Sequence, residues 1–446
     1  MCRSRSRRTA IATAALLVTM PAVIASAEPA PSVGLAAAVE RDLGISVAEF
    51  TRRAQLAERV ALFAEDARQR YPRAFAGAWL ENATPIAALT AGQGAEQARK
   101  AATAAGLTVR TAAKTEATLG QQKSAFEEWL GQQSDAVAGV VHGVAVDLVG
   151  NRIVVWADRA EITVPDYIDP ANVIVRARAV AEPLPSGSAE SGSLAAPPGA
   201  LARDYWQNTP RTPSGAVAGG DPYVGHQGRR LGHCSLGFHA VDRSGAPVNI
   251  TAGHCDMAAE AAGTPEATAV HEWIPGEDFG AALGAFEKSV FGGLDYGLIR
   301  VADAARDRFG GAAVREPGAA DIRLDGHAIP VVGAPACKSG ATTGYTCGVV
   351  LEVDVTNDVG GHGQAPVQVK GLFRTDICAL PGDSGGPVIT GTKALGISSN
   401  VTSETLTECP IREPITAGSF GAQVRLSAQP IAAVLAEHPE LTLRTN

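Results

Sequence analysis

Pro381-Gly382-Asp383-Ser384-Gly385-Gly386-Pro387-Val388-Ile389 is the stretch that decides how this chain is read. It sets a serine among glycines and then runs straight into apolar residues. A serine hydroxyl is a poor nucleophile until a base takes its proton. Its attack on a carbonyl also needs donors aimed at the oxygen that turns negative. Glycines around Ser384 let the backbone turn its N–H groups inward with no Cβ in the way. The N–H groups of Gly382 and Ser384 are therefore the natural oxyanion donors. The bland reading is a Gly-rich turn carrying an ordinary serine. The residues after Ser384 bear on the fold, because Gly385-Gly386-Pro387 is a poor helix start and the run reads as a strand.

A nucleophile of this kind needs a base and a group that orients it. Asn249-Ile250-Thr251-Ala252-Gly253-His254-Cys255 is a short strand-like run that ends in a histidine beside a cysteine. The other histidines of this half (His226, His233, His239, His271, His327, His362 and His438) lack that setting and read as surface or packing residues. Gly293-Leu294-Asp295-Tyr296-Gly297-Leu298-Ile299 puts an acid at the entrance to an apolar strand, which suits a partly buried carboxylate that orients an imidazole. Asp278 is the decoy, since Ala281-Ala282 rather than a strand comes after it.

Composition sets the bounds around these motifs. The chain has 446 residues, a net charge of −8, 46% apolar and 19% charged residues, and 49 glycines. That supports two domains with a sizeable core and many turns. No basic stripe lies outside the extreme N-terminus, so no nucleic-acid partner is expected. Arg3, Arg5, Arg7 and Arg8, the apolar run Ile11 to Ile24, and Ala25-Ser26-Ala27 read as an export signal over residues 1–27. The mature protein is therefore expected to be secreted and extracellular, free of the membrane once the signal is cut. From about Val39 to Leu130 the pattern is largely helical, and a hairpin around Gly150-Asn151 comes next. Residues 182–215 are rich in Pro, Gly, Ser and Ala and read as a flexible linker where proteolysis concentrates. From 216 to 446 short apolar runs alternate with turn residues, the texture of an all-β domain. Cys234, Cys255, Cys337, Cys347, Cys378 and Cys409 all lie there, consistent with three disulfides in fifteen possible pairings. No C-x-x-C pair invites zinc.

Together the three motifs resemble the chymotrypsin family of serine proteases, in that family's chain order of His, Asp, Ser. The Cys337-Lys338-Ser339-Gly340-Ala341-Thr342-Thr343-Gly344-Tyr345-Thr346-Cys347-Gly348 stretch is similar to the disulfide-closed loop of the bacterial streptogrisin and α-lytic protease branch. Arg73-Ala74-Phe75-Ala76-Gly77-Ala78-Trp79-Leu80 and the hairpin near Asn151 resemble that branch's pro-region. The resemblance implies an all-β fold of two antiparallel β-barrels, preceded by an α+β pro-region over residues 28–181 that assists folding and inhibits the enzyme. It implies His254, Asp295 and Ser384 as catalytic triad. It also implies disulfides Cys234–Cys255, Cys337–Cys347 and Cys378–Cys409, and a pairing of Lys338 with Asp383 where the branch carries arginine. The expected partners are protein or peptide substrates and the chain's own pro-region, with no cofactor and no metal.

By the same resemblance Ala379, Ser398, Ser399, Asn400 and Val401 line the pocket for the side chain before the cut bond, and Ser399 faces Asp295. Small residues at Ala379 and Ser398 favour an aromatic or Leu there. Asn400 and Val401 replace glycines common in the branch, Val401 narrows the pocket, and Asp376 raises a basic preference as the rival choice. Two other functional readings stand beside this one. Gly382-x-Ser384-x-Gly386 with Glu404 or Glu413 and then His438 satisfies the order of an α/β-hydrolase esterase, but that fold needs a helix directly after the serine. A non-catalytic binding module on a protease scaffold is the other.

Overall fold

The computed structural model describes residues 34–175, 179–180, 215–274, 279–316, 320–361, 364–401, 409 and 426–445. The export signal, all but the last residue of the linker, Asp278, His362, Glu404 and Glu413 lie outside the described residues. The chain is mostly β, with its longer helices gathered in the N-terminal part.

Helices α1 (Leu35–Leu43) and α2 (Val47–Arg70) are separated at Gly44, whose φ of 65° suits a residue without a Cβ. Ser46 caps α2 by accepting the Glu49 N–H. Phe50, Ala54, Ala57, Val60, Ala64 and Ala67 recur at helical spacing and form the buried stripe of α2. Strands β1 (Phe75–Glu81) and β2 (Thr84–Leu89) form an antiparallel hairpin against it. Helix α3 (Ala95–Ala104) leads to β3 (Thr108–Thr111), which pairs with β2 in parallel. These strands fall in the stretch whose sequence reads as largely helical. The reason is physical: β1 is Ala-rich and buried on both faces, so the alternation that marks a half-exposed strand is missing. Helix α4 (Glu116–Gly131) packs on β4 (Val141–Asp147) and β5 (Arg152–Ala157), the hairpin expected around Gly150-Asn151. Strands β6 (Val173–Val175) and β7 (Ala179–Val180) come after it.

From residue 215 the strands are mainly short and antiparallel. The first group is β8 (Pro222–Gln227), β9 (Arg230–Ser235), β10 (Phe238–Val241), β11 (Pro247–Thr251), β12 (Ala269–Glu272), β13 (Ala282–Gly292) and β14 (Leu294–Val301). With the terminal strand β23 (Thr442–Leu443) they make one sheet in the order β23-β10-β11-β14-β13-β12-β8-β9. Strands β15 (Ala313–Val314) and β16 (Ile322–Arg323) form a separate pair. The second group is β17 (Pro335–Lys338), β18 (Thr346–Gly361), β19 (Gln364–Thr375), β20 (Pro387–Thr390), β21 (Lys393–Val401) and β22 (Leu426–Pro430). Because β17 pairs with both β20 and β18, these six strands complete a hydrogen-bonded circuit. The pairings of the first sheet leave β23 and β9 as open ends. Ser384 lies just before β20, a strand, so the helix that an α/β-hydrolase requires after its serine is not there.

The N-terminal segment is built into the second sheet. Val144 and Val146 of β4 pair with Thr356 and Val353 of β18. One apolar cluster runs from Val60, Phe63 and Leu80 to Ala334, Phe373 and Leu395. The Arg374 guanidinium, buried in β19, stacks 4.3 Å from the Trp156 ring of β5.

Candidate active site

Strand β11 delivers His254. Its end at Thr251 pairs with Gly297 of β14, and Asp295 lies one turn of the pleat away on the same strand. Gly253 must be small here, since a Cβ would stand 1.9 Å from the Val290 carbonyl oxygen. The Asp295 carboxylate is fully buried and takes four donors. The N–H groups of Gly253 and His254 reach Oδ1 at 2.8 and 3.1 Å. His254 Nδ1 reaches Oδ2 at 2.8 Å, and the Ser399 hydroxyl donates to the same oxygen. Burial alone raises a carboxyl's pKa, but the pull of the His254 ring and these hydrogen bonds outweigh it and hold Asp295 below the ordinary carboxylate range. With Nδ1 facing Asp295, Nε2 is the ring nitrogen left to face a reacting group. His254 Nε2 is buried and has no hydrogen-bond partner among the described residues.

Ser384 sits on a turn pressed against this strand. Gly382 and Gly385 have φ of 98° and 79°, a region that strains any side chain. At Gly385 a Cβ would also lie 1.9 Å from Thr251 Oγ1 and 3.1 Å from the Ala252 nitrogen, so the serine turn and the histidine segment touch backbone to backbone. Ser384 Oγ makes no hydrogen bond to His254 Nε2, a link that in unliganded enzymes often tightens only when substrate arrives. The Gly382 and Ser384 N–H groups donate to no protein atom among the described residues. Asp383 points the other way. Its buried carboxylate accepts the N–H groups of Thr342 (2.9 Å), Thr343 (3.0 Å) and Leu380 (2.9 Å) and the Thr343 hydroxyl (2.7 Å). Lys338 Nζ, wholly buried, stands 3.2 Å from Asp383 Oδ2 and also donates to Gly344 O at 3.0 Å. Burial lowers the lysine's pKa, and Asp383 works against that shift.

Ala379, Ser398, Ser399 and Asn400 are buried, and Val401 is half-buried at the end of β21. Asn400 donates to the Ser399 hydroxyl at 3.1 Å. Since the one proton of Ser399 goes to Asp295, its oxygen is free to accept, which fixes the way the Asn400 amide faces. Asp376 is turned to the backbone, accepting the Val349 N–H at 2.6 Å. Disulfides join Cys234 to Cys255, Cys337 to Cys347, and Cys378 to Cys409. Among the described residues only Cys234, His254 and Cys255 bring three metal-type ligand atoms together. The two sulfurs there are bonded to each other, so neither is a thiolate donor.

Two residues of the site carried no signal in the sequence. Ser235 is a buried hub: its N–H donates to Ser384 O, its hydroxyl donates to Gly382 O and accepts from Ala341 N, each at 2.8 Å, and its carbonyl accepts from Thr251. Gln429 accepts the Asp295 N–H at 3.0 Å.

Comparison with known proteins places the chain in a family. The family model described as Trypsin matches residues 248–412. Streptogrisin-C of Streptomyces griseus is 30% identical over 407 residues, covering 87% of this chain and 76% of that protein. Serine protease 2 of Streptomyces fradiae is 37% identical over 183 residues, covering 41% of this chain and 93% of its own length. Among solved structures, Thermobifida fusca protease A is 27% identical and aligns with 52% of this chain and all of its own, with a TM-score of 0.36. The chain belongs to the trypsin-type family of serine proteases. Within that family its relatives are the streptogrisins and other Streptomyces serine proteases, and its activity is that of a serine endopeptidase, a hydrolase.

Proposed function

We propose that the protein is a secreted zymogen in which residues 28–181 are a pro-region and residues 216–446 a two-barrel protease domain. The carrying observation is the Asp295–His254 pair, with a basic Nε2 left unengaged beside the Ser384 turn. Ser384 Oγ attacks the peptide carbonyl while His254 Nε2 takes its proton. The N–H groups of Gly382 and Ser384 receive the oxyanion. The amine leaves with the proton that His254 returns, and water then cleaves the acyl-enzyme by the same steps in reverse. Ala379 and the Ser398–Val401 segment receive the side chain before the cut bond, an aromatic or Leu by the small size of Ala379 and Ser398.

The pairing of β7 supports self-inhibition. Val180 pairs antiparallel with Val401, and Ala179 and Val180 pair in parallel with Val359 and Gly360. The pro-region thus lies along the segment assigned to substrate, and its release is the activating step. No described helix is long and apolar enough to cross a membrane.

The test is a serine-directed phosphonate on the processed enzyme, with peptide mapping of the product. Stoichiometric labelling of Ser384 with loss of proteolysis is expected, and Ser384→Ala is expected to lose about 10⁶ in turnover. Labelling elsewhere, or proteolysis retained by Ser384→Ala, overturns the assignment.

A further inference from the structure

We propose that helix α1 is the template for the loop that sets Asp383, acting through an ion pair that stands in for a neighbouring strand. Arg41 and Asp42 lie side by side near the end of α1. Arg41 Nε and Nη2 bind the two oxygens of Asp42 at 2.7 and 2.6 Å, a two-pronged plate. That plate faces the loop closed by Cys337–Cys347, some 300 residues away in sequence. Arg41 Nη2 donates to Tyr345 O at 3.0 Å, and the Cys347 N–H donates to Asp42 Oδ2 at 2.8 Å. A carbonyl and an N–H two residues apart are what a strand edge presents to a partner strand. Here one guanidinium and one carboxylate meet them.

Apolar packing fixes the helix over that edge. Leu35, Ala38 and Val39 share a cluster with Cys337, Tyr345, Cys347 and Ile389. At the helix start, Leu35 N–H donates to Glu316 Oε1 at 3.1 Å. The contact therefore has apolar, charged and backbone components.

The loop is the one that holds the serine turn. Gly344, next to Tyr345, accepts from Lys338 Nζ. Lys338, Thr342 and Thr343 all bind Asp383. Asp383 sits between Gly382 and Ser384, whose N–H groups are the oxyanion donors. Fixing residues 345–347 thus fixes the lysine's carbonyl anchor, then the carboxylate, then the donors. The role differs from that of β7: β7 covers the substrate segment, whereas α1 shapes the catalytic turn from behind.

This inference rests on reading residues 28–181 as a pro-region, and the test separates the two. Hydrogen exchange is measured on the full-length Ser384→Ala precursor, with and without the double change Arg41→Ala/Asp42→Ala. Refolding yield of active enzyme is measured on the full-length chain with Ser384 intact. Protection of the Cys347 amide is expected to fall about tenfold or more, the loss of a hydrogen bond to a charged group. Protection across Val144–Val146 and Val353–Asn357 is expected to hold, and the yield to fall several-fold. A Cys347 amide that stays protected overturns the proposal, and if the yield still falls, the folding role of the pro-region stands without it. Lost protection at full yield overturns the templating role as well. If the double variant does not fold, Asp42→Asn is read instead. It keeps an oxygen for the Cys347 N–H but loses the charge, so a smaller loss of protection is expected and no loss overturns the proposal.

Discussion

Asp295 and Asp383 are both buried carboxylates within reach of the reacting groups, yet they are held in opposite ways. Asp383 faces a buried cation, Lys338, and three backbone N–H groups. Its charge is neutralised in the resting protein, and its task is to fix a turn. Asp295 faces hydrogen-bond donors from Gly253, His254 and Ser399, with no Lys or Arg among them. Its charge is stabilised without being cancelled, so in the proposed mechanism it stays available when His254 takes the Ser384 proton. A cation beside Asp295 would compete with that imidazolium. The absence of one beside Asp383 would leave a buried charge offset by hydrogen bonds alone.

The contrast makes three predictions. Asp295→Asn should leave the fold intact and lower kcat by about 10⁴, because an amide no longer holds the productive tautomer. Circular dichroism and burst kinetics check it, and a loss under tenfold would mean that Asp295 is as structural as Asp383. Lys338→Met should act chiefly on stability. Removing one partner of a buried pair costs about 3–5 kcal/mol, read from the denaturant midpoint of the full-length Ser384→Ala chain to avoid self-digestion. Wild-type stability in that variant would show that the donors from Leu380, Thr342 and Thr343 suffice for Asp383.

The third and smallest effect concerns a second buried imidazole, one with no carboxylate partner among the described residues. Among the described residues His239 Nδ1 meets only the Gly311 carbonyl, at 3.0 Å, and Nε2 has no partner. Burial pushes its pKa down to about 4, with the Gly311 carbonyl opposing. Between about pH 6.5 and 4 the unfolded chain therefore binds a proton that the folded ring refuses. Stability is lost as pH falls through that window, on the order of 3 kcal/mol if the whole shift is realised. His239→Gln should flatten the fall between pH 7 and 4, measured by denaturant unfolding. An unchanged slope would assign the acid sensitivity to another group.

Residue types along the chain carry its local chemistry. Glycines flank Ser384 because the turn takes positive φ and presses on Thr251, and such constraints leave a mark in residue type. The strand after Ser384 was legible from Pro387-Val388-Ile389, and the hairpin of β4 and β5 from the Gly150-Asn151 turn between two apolar runs. Strand β1 was not legible, because burial on both of its faces erases the alternation that reveals a strand. Which ordinary polar residues join the site follows only from the strands that bring them together. Ser235 and Gln429 are common residue types in stretches without a motif, and their roles come from the strands that bring them to Ser384 and Asp295. The same holds for Arg41 and Asp42, whose sequence reads as an ordinary charged helix end. Their partner is a strand edge separated from them by most of the chain, and a hydrogen bond across that distance depends on geometry that neither segment encodes alone.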